Sequence, residues 1–247
     1  MILPPELVDE ILIHLRHDNQ ALRNCSLIAK SWAYPSQKLL YARVRITPST
    51  YQTWQRIASP TSANLLRHVH SLNCLQLQSL HDLQEDYLQS FHRLQRLALH
   101  DVDNVKPDTV DLFSAFQNTL SSLYLFRVSL TLDAFIKLLC YLPKLRELYL
   151  SEPTFDSNHW TTPPPGSTPP RGSLSLCGFS AESTAILLRG LYELKPEYDG
   201  LKLVEVSGNS TIHAHSIIST CEKTLTHLTL GPCDRTLYAL YNITSFV

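Results

Sequence analysis

Apolar residues recur in one short pattern along most of the chain after residue 66. Each segment has three marked positions, the second after two variable residues and the third after one more. All of these positions are apolar except the first position of the fifth segment, Arg171. The first positions of the seven segments are Val69, Leu94, Leu120, Leu145, Arg171, Leu201 and Leu225. These positions are separated by 25, 26, 25, 26, 30 and 24 residues. Alternating apolar and polar residues are typical of a short strand with one buried face, so the sequence predicts seven strands at a regular interval.

The stretches between these strands show helical spacing. Apolar residues lie three or four positions apart, often behind a Ser, Thr or Asp that can cap the first turn. The predicted helices are Asp82 to Phe91, Asp108 to Phe116, Thr131 to Leu142, Ala181 to Leu191 and His213 to Cys221. One strand and one helix in about 25 residues is the period of leucine-rich repeats, in which each unit buries its apolar face against its neighbours. The predicted fold is an α/β, leucine-rich-repeat-like solenoid over residues 67–247, with a parallel sheet on its concave face.

Two stretches depart from this repeat. Residues 47–66 separate the first repeat from a short alternation at Val44 and Ile46, and we expect a linker or an atypical leading repeat there. Residues 151–172 contain six prolines and replace the helix of the fourth repeat. We expect this Pro-rich insertion to be an exposed, extended loop, either a tolerated surface insertion or a ligand for a recognition domain.

The first 46 residues have a different pattern, which predicts three short helices. Proline at positions 4 and 5 suits the first turn of a helix, and an apolar residue then recurs every fourth position at Leu7, Ile11 and Leu15. A second helix is expected from residue 18 or 19 through Ile28, and a third after Pro35. Three helices in so short a segment bury little apolar surface, so we expect this unit to need a partner.

This N-terminal segment resembles an F-box of the form common in fungal proteins. The matching residues are Leu3-Pro4-Pro5-Glu6-Leu7, Glu10-Ile11-Leu12, Cys25-Ser26-Leu27-Ile28-Ala29-Lys30-Ser31-Trp32 and Leu39-Leu40-Tyr41. The resemblance implies that residues 1–46 form an F-box domain that docks on the Skp-type adaptor subunit of a ubiquitin ligase, and through it on a cullin. The positions that it marks as adaptor contacts are Leu3, Pro4, Leu7, Ile11, Leu15, Leu27 and Trp32. The alternative for Leu7, Ile11 and Trp32 is that they close a local core.

Strand alternation also indicates which side chains leave the repeat core. If the apolar positions point inward, the intervening residues face the concave side of the sheet. Near the middle of this side, alternation places three aromatic residues and three charged or polar neighbours: Tyr124, Phe126, Tyr149, Arg96, His100 and Glu147. Such residues are typical of protein-binding hot spots, so we expect a target protein to bind here. The alternative is that a neighbouring loop covers one or more rings. In the sixth segment, the same alternation places Leu203 and Glu205 on this side.

Composition argues against several other functions. The chain carries 21 Lys or Arg and 22 Asp or Glu, a net charge of −1, without a basic run, so we expect no nucleic-acid or membrane partner. No apolar run approaches the roughly 18 residues of a membrane span, and the acidic first ten residues argue against a secretory signal. The six cysteines are dispersed without a zinc-type spacing, which predicts free thiols in the cytoplasm or the nucleus.

None of the common catalytic sequence motifs occurs in the chain, and its 11 histidines are scattered. We therefore expect no enzyme activity, no catalytic residue, no metal and no cofactor. The resemblance and the repeats together imply a substrate-recognition subunit of a Skp-cullin-F-box ubiquitin ligase, with an unknown target protein on the concave face. The alternative is a leucine-rich-repeat interaction scaffold without ligase output.

Overall fold

The structure is a computed structural model of the 247-residue chain. It describes residues 3–57, 65–76, 88–103, 105–155, 171–178, 197–204 and 223–231, together with residues 183, 186–187, 191, 194, 218–219 and 221. Four expectations lie wholly or largely outside the described residues: the Pro-rich insertion at 156–170 and the helices at 82–91, 181–191 and 213–221.

Three helices form a small unit at the N-terminal end of the described chain. α1 spans Pro5–His14, α2 spans Asn19–Ile28 and α3 spans Lys30–Leu40. α2 begins where the Asp18 carboxylate accepts the Ala21 N–H at 2.8 Å, which satisfies one of the free donors of the first turn. The buried core of the unit consists of four residues, Val8, Leu12, Leu22 and Cys25.

α3 begins at Lys30, so the expectation that this helix starts after Pro35 is wrong. Pro35 lies inside the helix, where it removes one intrahelical hydrogen bond because it has no N–H. Trp32 and Leu39, on either side of the proline, both pack against the four-residue core. This shared packing explains why the two halves stay in one helix.

The chain that follows is built on one parallel sheet of eight strands, arranged in chain order. Its strands are β1 (Arg43–Ile46), β2 (Ser71–Leu75), β3 (Arg96–His100), β4 (Ser122–Phe126), β6 (Glu147–Ser151), β8 (Arg171–Cys177), β9 (Glu197–Val204) and β10 (His227–Gly231). A second parallel pair joins β5 (Ser129–Leu130) to β7 (Thr154–Phe155). The predicted α/β class with a parallel sheet is confirmed.

Helical segments connect these strands. α4 spans Tyr51–Ile57, α5 spans Pro107–Val110 and continues as a 3₁₀ helix at Asp111–Phe116, and α6 spans Leu132–Tyr141. A further 3₁₀ helix spans Leu66–His68. Within the described ranges, no helix is long and apolar enough to cross a membrane.

The core lies between the sheet and these helices as one continuous cluster of buried apolar residues. The central apolar positions of five consecutive repeats are in register across the sheet and are at most 3% exposed: Leu72, Leu97, Leu123, Leu148 and Leu174. Phe116 and Phe135, from two connecting segments, cover this row from the helical side. Burial of leucines on one side of the sheet leaves the alternate residues on the opposite side, which we call the open side.

The sixth repeat has a different register from the predicted one. The sequence pattern predicts Leu201 at the first apolar position of this repeat. In the structure, β9 pairs with β8 so that Leu201 lies beside Leu174, which is at the second apolar position of its own repeat. The first position is therefore Tyr198, which is 1% exposed in the core. The last two intervals become 27 residues each, more regular than the predicted 30 and 24. Both alignments satisfy the apolar pattern, and burial of the Tyr198 ring decides between them.

This register also changes which residues of β9 lie at the open-side positions. Strand alternation predicts Leu203 and Glu205 on the open side in the sixth repeat. This prediction is wrong, because Gly200 and Lys202 occupy those two backbone positions.

The predicted bounds of the Pro-rich insertion, 151–172, are wrong at both ends. Ser151 ends β6, β7 begins at Thr154, and Gly172 lies within β8. Gly172 has a φ of 89°, and a Cβ at this position would lie 2.2 Å from the carbonyl oxygen of Arg146. The glycine is therefore required by a close approach of two backbone segments.

Five strands of the sheet are followed directly by a residue in the left-handed region. These residues, which we call the left-handed row, have φ between 48° and 64° and are Gln76, Asp101, Arg127, Glu152 and Gly178. The N–H of each of the first four donates to the carbonyl of the last residue in the next strand of the sheet, at 2.8 to 3.0 Å. A non-glycine residue in this conformation costs about 1–2 kcal/mol, and these hydrogen bonds between units offset that strain.

Candidate functional site: two binding surfaces

The first candidate surface is apolar and lies on the three-helix unit. α1 carries two sets of apolar residues: Val8 and Leu12 are 2% and 0% exposed, whereas Leu7 and Ile11 are 46% and 40% exposed. Residues four positions apart lie on one side of a helix, so Leu7 and Ile11 form a stripe next to the buried one. Leu3, at 38% exposure, precedes this stripe. The unit therefore leaves part of its apolar surface in contact with solvent.

The end of α2 adds two more exposed apolar side chains, Leu27 at 85% and Ile28 at 66%. Ile28 is the last residue of α2, and the backbone is extended at Ala29 directly after it. This turn of the chain leaves Ile28 outside the core. We call Leu3, Leu7, Ile11, Leu27 and Ile28 together the head surface.

The seven predicted adaptor contacts divide into two groups. Leu3, Pro4, Leu7, Ile11 and Leu27 are exposed. Leu15 and Trp32 are half-buried and pack against the four-residue core. The alternative of a local core, which concerns Leu7, Ile11 and Trp32, therefore describes Trp32 but not Leu7 or Ile11.

The second candidate surface lies on the open side of the parallel sheet. Strand pairing places Tyr124 beside Tyr149, with ring centroids 6.2 Å apart, and Phe126 lies 5.1 Å from the ring of Tyr149. His100 stacks on Phe126 with centroids 4.3 Å apart and planes 6° from parallel. The hydroxyl of Tyr124 donates a hydrogen bond of 2.8 Å to Glu147 Oε2. Five of the six predicted target-binding residues thus contact one another, and we call them the aromatic cluster.

The rings of this cluster differ in accessibility. Tyr124 and Phe126 are buried, at 8% and 6% exposure. Tyr149 is half-buried, while Glu147 is exposed at the edge of the cluster. Arg96, the sixth predicted residue, is also exposed but lies two strands from Glu147, about 10 Å away at the usual strand spacing. The accessible part of this site is therefore Tyr149 with Glu147 and, farther off, Arg96.

His100 is a neutral member of the cluster. Its partial burial lowers its pKa to about 4, and this effect outweighs the opposing influence of the Asp101 carboxylate. The guanidinium groups of Arg127 and Arg45 lower the pKa further. At neutral pH the ring therefore stacks on Phe126 as an uncharged imidazole.

Two arginines of β1 also lie on the open side. Strand alternation in the sequence missed them because it was followed only from β2 onward. Arg43 pairs with Ser71 and Arg45 pairs with Asn73, so β1 extends the open side by one strand. Both arginines are exposed, and the two apolar residues that alternate with them, Val44 and Ile46, are buried. The alternation of arginine and apolar residues over 43–46 was the signal that could have identified them. Beside them, the Oδ1 atom of Asn73 is buried without a hydrogen-bond partner.

Within the described ranges, no group of three or more His, Cys, Asp or Glu side chains could hold a metal ion. Complete burial raises the pKa of the Cys74 thiol to about 12, so it stays protonated and unreactive.

No family model and no curated protein matches this chain. Among solved structures, one similar chain is described as the tropomodulin C-terminal domain, from the structural genomics of Caenorhabditis elegans. The sequence identity is 8%, the match covers 79% of this chain and 99% of that chain, and the TM-score is 0.39. A similarity at this score carries no argument about fold or function.

Proposed function

We propose that this chain is a substrate-recognition subunit of a Skp-cullin-F-box ubiquitin ligase. The observation that carries the proposal is the head surface, an exposed apolar set on a unit whose core contains only four buried residues. Exposed apolar side chains concentrated on so small a unit favour an interaction site. The resemblance of residues 3–41 to an F-box supports a Skp-type adaptor as the partner that covers it.

The exposed side chains of the head surface can contribute several kcal/mol, on the order of the values for apolar burial, when a partner covers them. Full burial of a leucine or isoleucine side chain contributes about 1.5–3 kcal/mol. Because Leu3, Leu7 and Ile11 are 38–46% exposed, covering each contributes on the order of 1 kcal/mol. Leu27, at 85% exposure, contributes up to about 2 kcal/mol when it is covered. These contributions offset a substantial part of the cost of association.

We propose that the sheet and its helices form a leucine-rich-repeat-type solenoid with the open side as its concave face. The strand order along the chain and the register of one leucine per repeat support this proposal. A target protein would then bind at Tyr149, Glu147 and Arg96. The chemical role of the chain is positioning, since it raises the effective concentration of the target's lysines near the ubiquitin-carrying enzyme.

Co-purification of the full chain with an adaptor and a cullin tests this function. The test variant combines Leu7→Asp with Ile11→Asp, because both side chains are exposed and their replacement leaves the core intact. Ile13→Asp is the matched control: Ile13 is 52% exposed on the same helix, about 200° around the helix from Ile11.

We expect the unmodified chain and the Ile13→Asp variant to recover adaptor and cullin, and the double variant to recover neither. Equal adaptor recovery by the double variant would contradict docking through the head surface. Recovery of the adaptor without cullin by the unmodified chain would instead favour the interaction scaffold.

A further inference from the structure

A pocket lies where the three-helix unit meets the first strand of the sheet, beside the edge of the open side. Its volume is about 380 Å³, within the range of small-molecule sites. Arg23 comes from α2, Arg43 and Arg45 from β1, Tyr41 from the segment between α3 and β1, and Trp54 from α4. Three parts of the chain that are distant in sequence therefore converge on one cavity.

The pocket holds three positive charges without a carboxylate to balance them. The ion pairs found in the described ranges are Arg127 with Asp101, Lys137 with Asp111 and Arg171 with Glu197, and all lie elsewhere. In those ranges, Arg23, Arg43 and Arg45 donate no side-chain hydrogen bond.

The nearest acidic residue in sequence, Asp18, uses its Oδ1 atom to cap α2 and does not line the pocket. Guanidinium groups that converge on one cavity are complementary to a phosphate, whose oxygens accept their paired donors.

Another part of the pocket lining is aromatic and apolar. Tyr41 and Trp54 are both half-buried, with ring centroids 6.3 Å apart and planes at 89°, and Leu40 lies beside them. A flat ring can pack against such a wall, and arginines nearby can hold the charged group attached to it.

Two hydroxyl groups in the lining already have partners. The N–H of Thr47 donates to Thr50 Oγ1 at 2.9 Å, and the N–H of Thr50 donates to Thr47 Oγ1 at 3.3 Å. This reciprocal pair fixes the start of α4. Recognition of a ligand therefore falls mainly to the arginines and the aromatic rings.

We propose that this pocket binds a small organic phosphate in which a phosphate monoester is joined to a flat ring, as in a nucleoside monophosphate. The phosphate lies among Arg23, Arg43 and Arg45, and the ring packs against Tyr41 and Trp54. None of the residues of this site belongs to the head surface or the aromatic cluster, although Arg43 and Arg45 lie at the β1 edge of the open side.

Isothermal titration calorimetry of the full chain with adenosine monophosphate tests the proposal. We expect saturable binding with a dissociation constant below about 1 mM. Adenosine, which lacks the phosphate, and inorganic phosphate, which lacks the ring, should each bind at least about tenfold more weakly, since each loses one half of the recognition.

Variants identify the pocket as the site. Arg43→Gln combined with Arg45→Gln should weaken binding at least about tenfold, and Arg23→Gln, on a different element, should weaken it severalfold. Arg56→Gln is the matched control, because Arg56 is an exposed arginine on α4 outside the pocket lining. It should change the affinity less than about twofold. All of these arginines are exposed, so we expect unchanged melting temperatures.

Several results would overturn the proposal. They are equal affinity for inorganic phosphate and adenosine monophosphate, no binding at 1 mM nucleotide, or equal weakening by Arg56→Gln and by the double variant. Binding of a phosphotyrosine peptide more than about tenfold tighter than the nucleotide would overturn the assignment to a free small molecule. Loss of adaptor recovery by the head-surface variants leaves all of these measurements unaffected.

Discussion

Replacing Gly172 with alanine tests the close approach between the start of β8 and the residue before β6. A Cβ on Gly172 would lie 2.2 Å from the carbonyl oxygen of Arg146 and 2.6 Å from its Cα, so backbone must move to admit it. The φ of 89° adds left-handed strain of about 1–2 kcal/mol, and overpacking against backbone costs about 1–3 kcal/mol. We therefore expect Gly172→Ala to lower the free energy of unfolding by about 3 kcal/mol.

Two other glycines of the sheet provide graded controls. Gly178 has a φ of 64°, but a Cβ there would meet Glu152 Cγ at 2.8 Å, the flexible part of a side chain, so Gly178→Ala should cost about 1 kcal/mol. A Cβ on Gly200 would lie 3.1 Å from Ser173 Cβ, and no positive φ adds strain, so Gly200→Ala should change stability by less than about 1 kcal/mol.

Thermal unfolding followed by circular dichroism measures the series. In a domain of this size, the Gly172→Ala change corresponds to a fall in melting temperature of roughly 6–12 °C. If Gly172→Ala and Gly200→Ala lower the melting temperature equally, the argument from the close approach is wrong.

Three further predictions concern side chains. Tyr124→Ala should lower the melting temperature more than Tyr149→Ala, because Tyr124 is 8% exposed and Tyr149 is half-buried; thermal unfolding showing the reverse order would contradict the described burial. The hydrogen bond from Arg127 lowers the pKa of Asp101 in the folded chain. The Asp101 carboxylate therefore stabilises the fold above the pKa that this group has in the unfolded chain, and this stabilisation is lost as the pH falls through its pKa in the folded chain. Urea unfolding should thus show Asp101→Asn less stable than the unmodified chain by at most about 1 kcal/mol at pH 7 and equal to it at about pH 2, and a gap independent of pH would rule this out. Cys74, fully buried with a pKa of about 12, should react with a thiol reagent only after unfolding, and mass spectrometry showing its prompt labelling in the native chain would refute that assignment.

The strands could be predicted because leucines repeat at a nearly constant interval and each must be buried. The sixth repeat could not be aligned from the sequence, since Leu201 fits either the first or the second apolar position and the burial of Tyr198 is a tertiary property. The left-handed row was also beyond prediction. Asp101 and Arg127 carry no glycine signal, and their conformation is fixed by hydrogen bonds to a neighbouring unit.

In the candidate sites too, some features could be predicted from the sequence and others depend on tertiary packing. Alternation brought Tyr124, Phe126 and Tyr149 into one cluster, because residues at equivalent repeat positions must lie side by side in a parallel sheet. It could not rank their exposure, which depends on everything that packs over the sheet. In α1, a spacing of four residues identified Leu7 and Ile11 as one stripe, but only the packing of the other helices shows that Val8 and Leu12 form the buried one.

The order of strands in the eight-stranded sheet has a consequence for how the chain can be made. In every neighbouring pair of strands, the residues that pair with each other lie 25–28 residues apart along the chain. The entropy of closing these connections differs by only about 0.1 kcal/mol across that range. A ribosome adding about 5–20 residues per second therefore releases a new strand every one to five seconds, onto an edge that the previous strand has just completed. Synthesis from the N-terminus can thus assemble the sheet in order, without waiting for any later part of the chain.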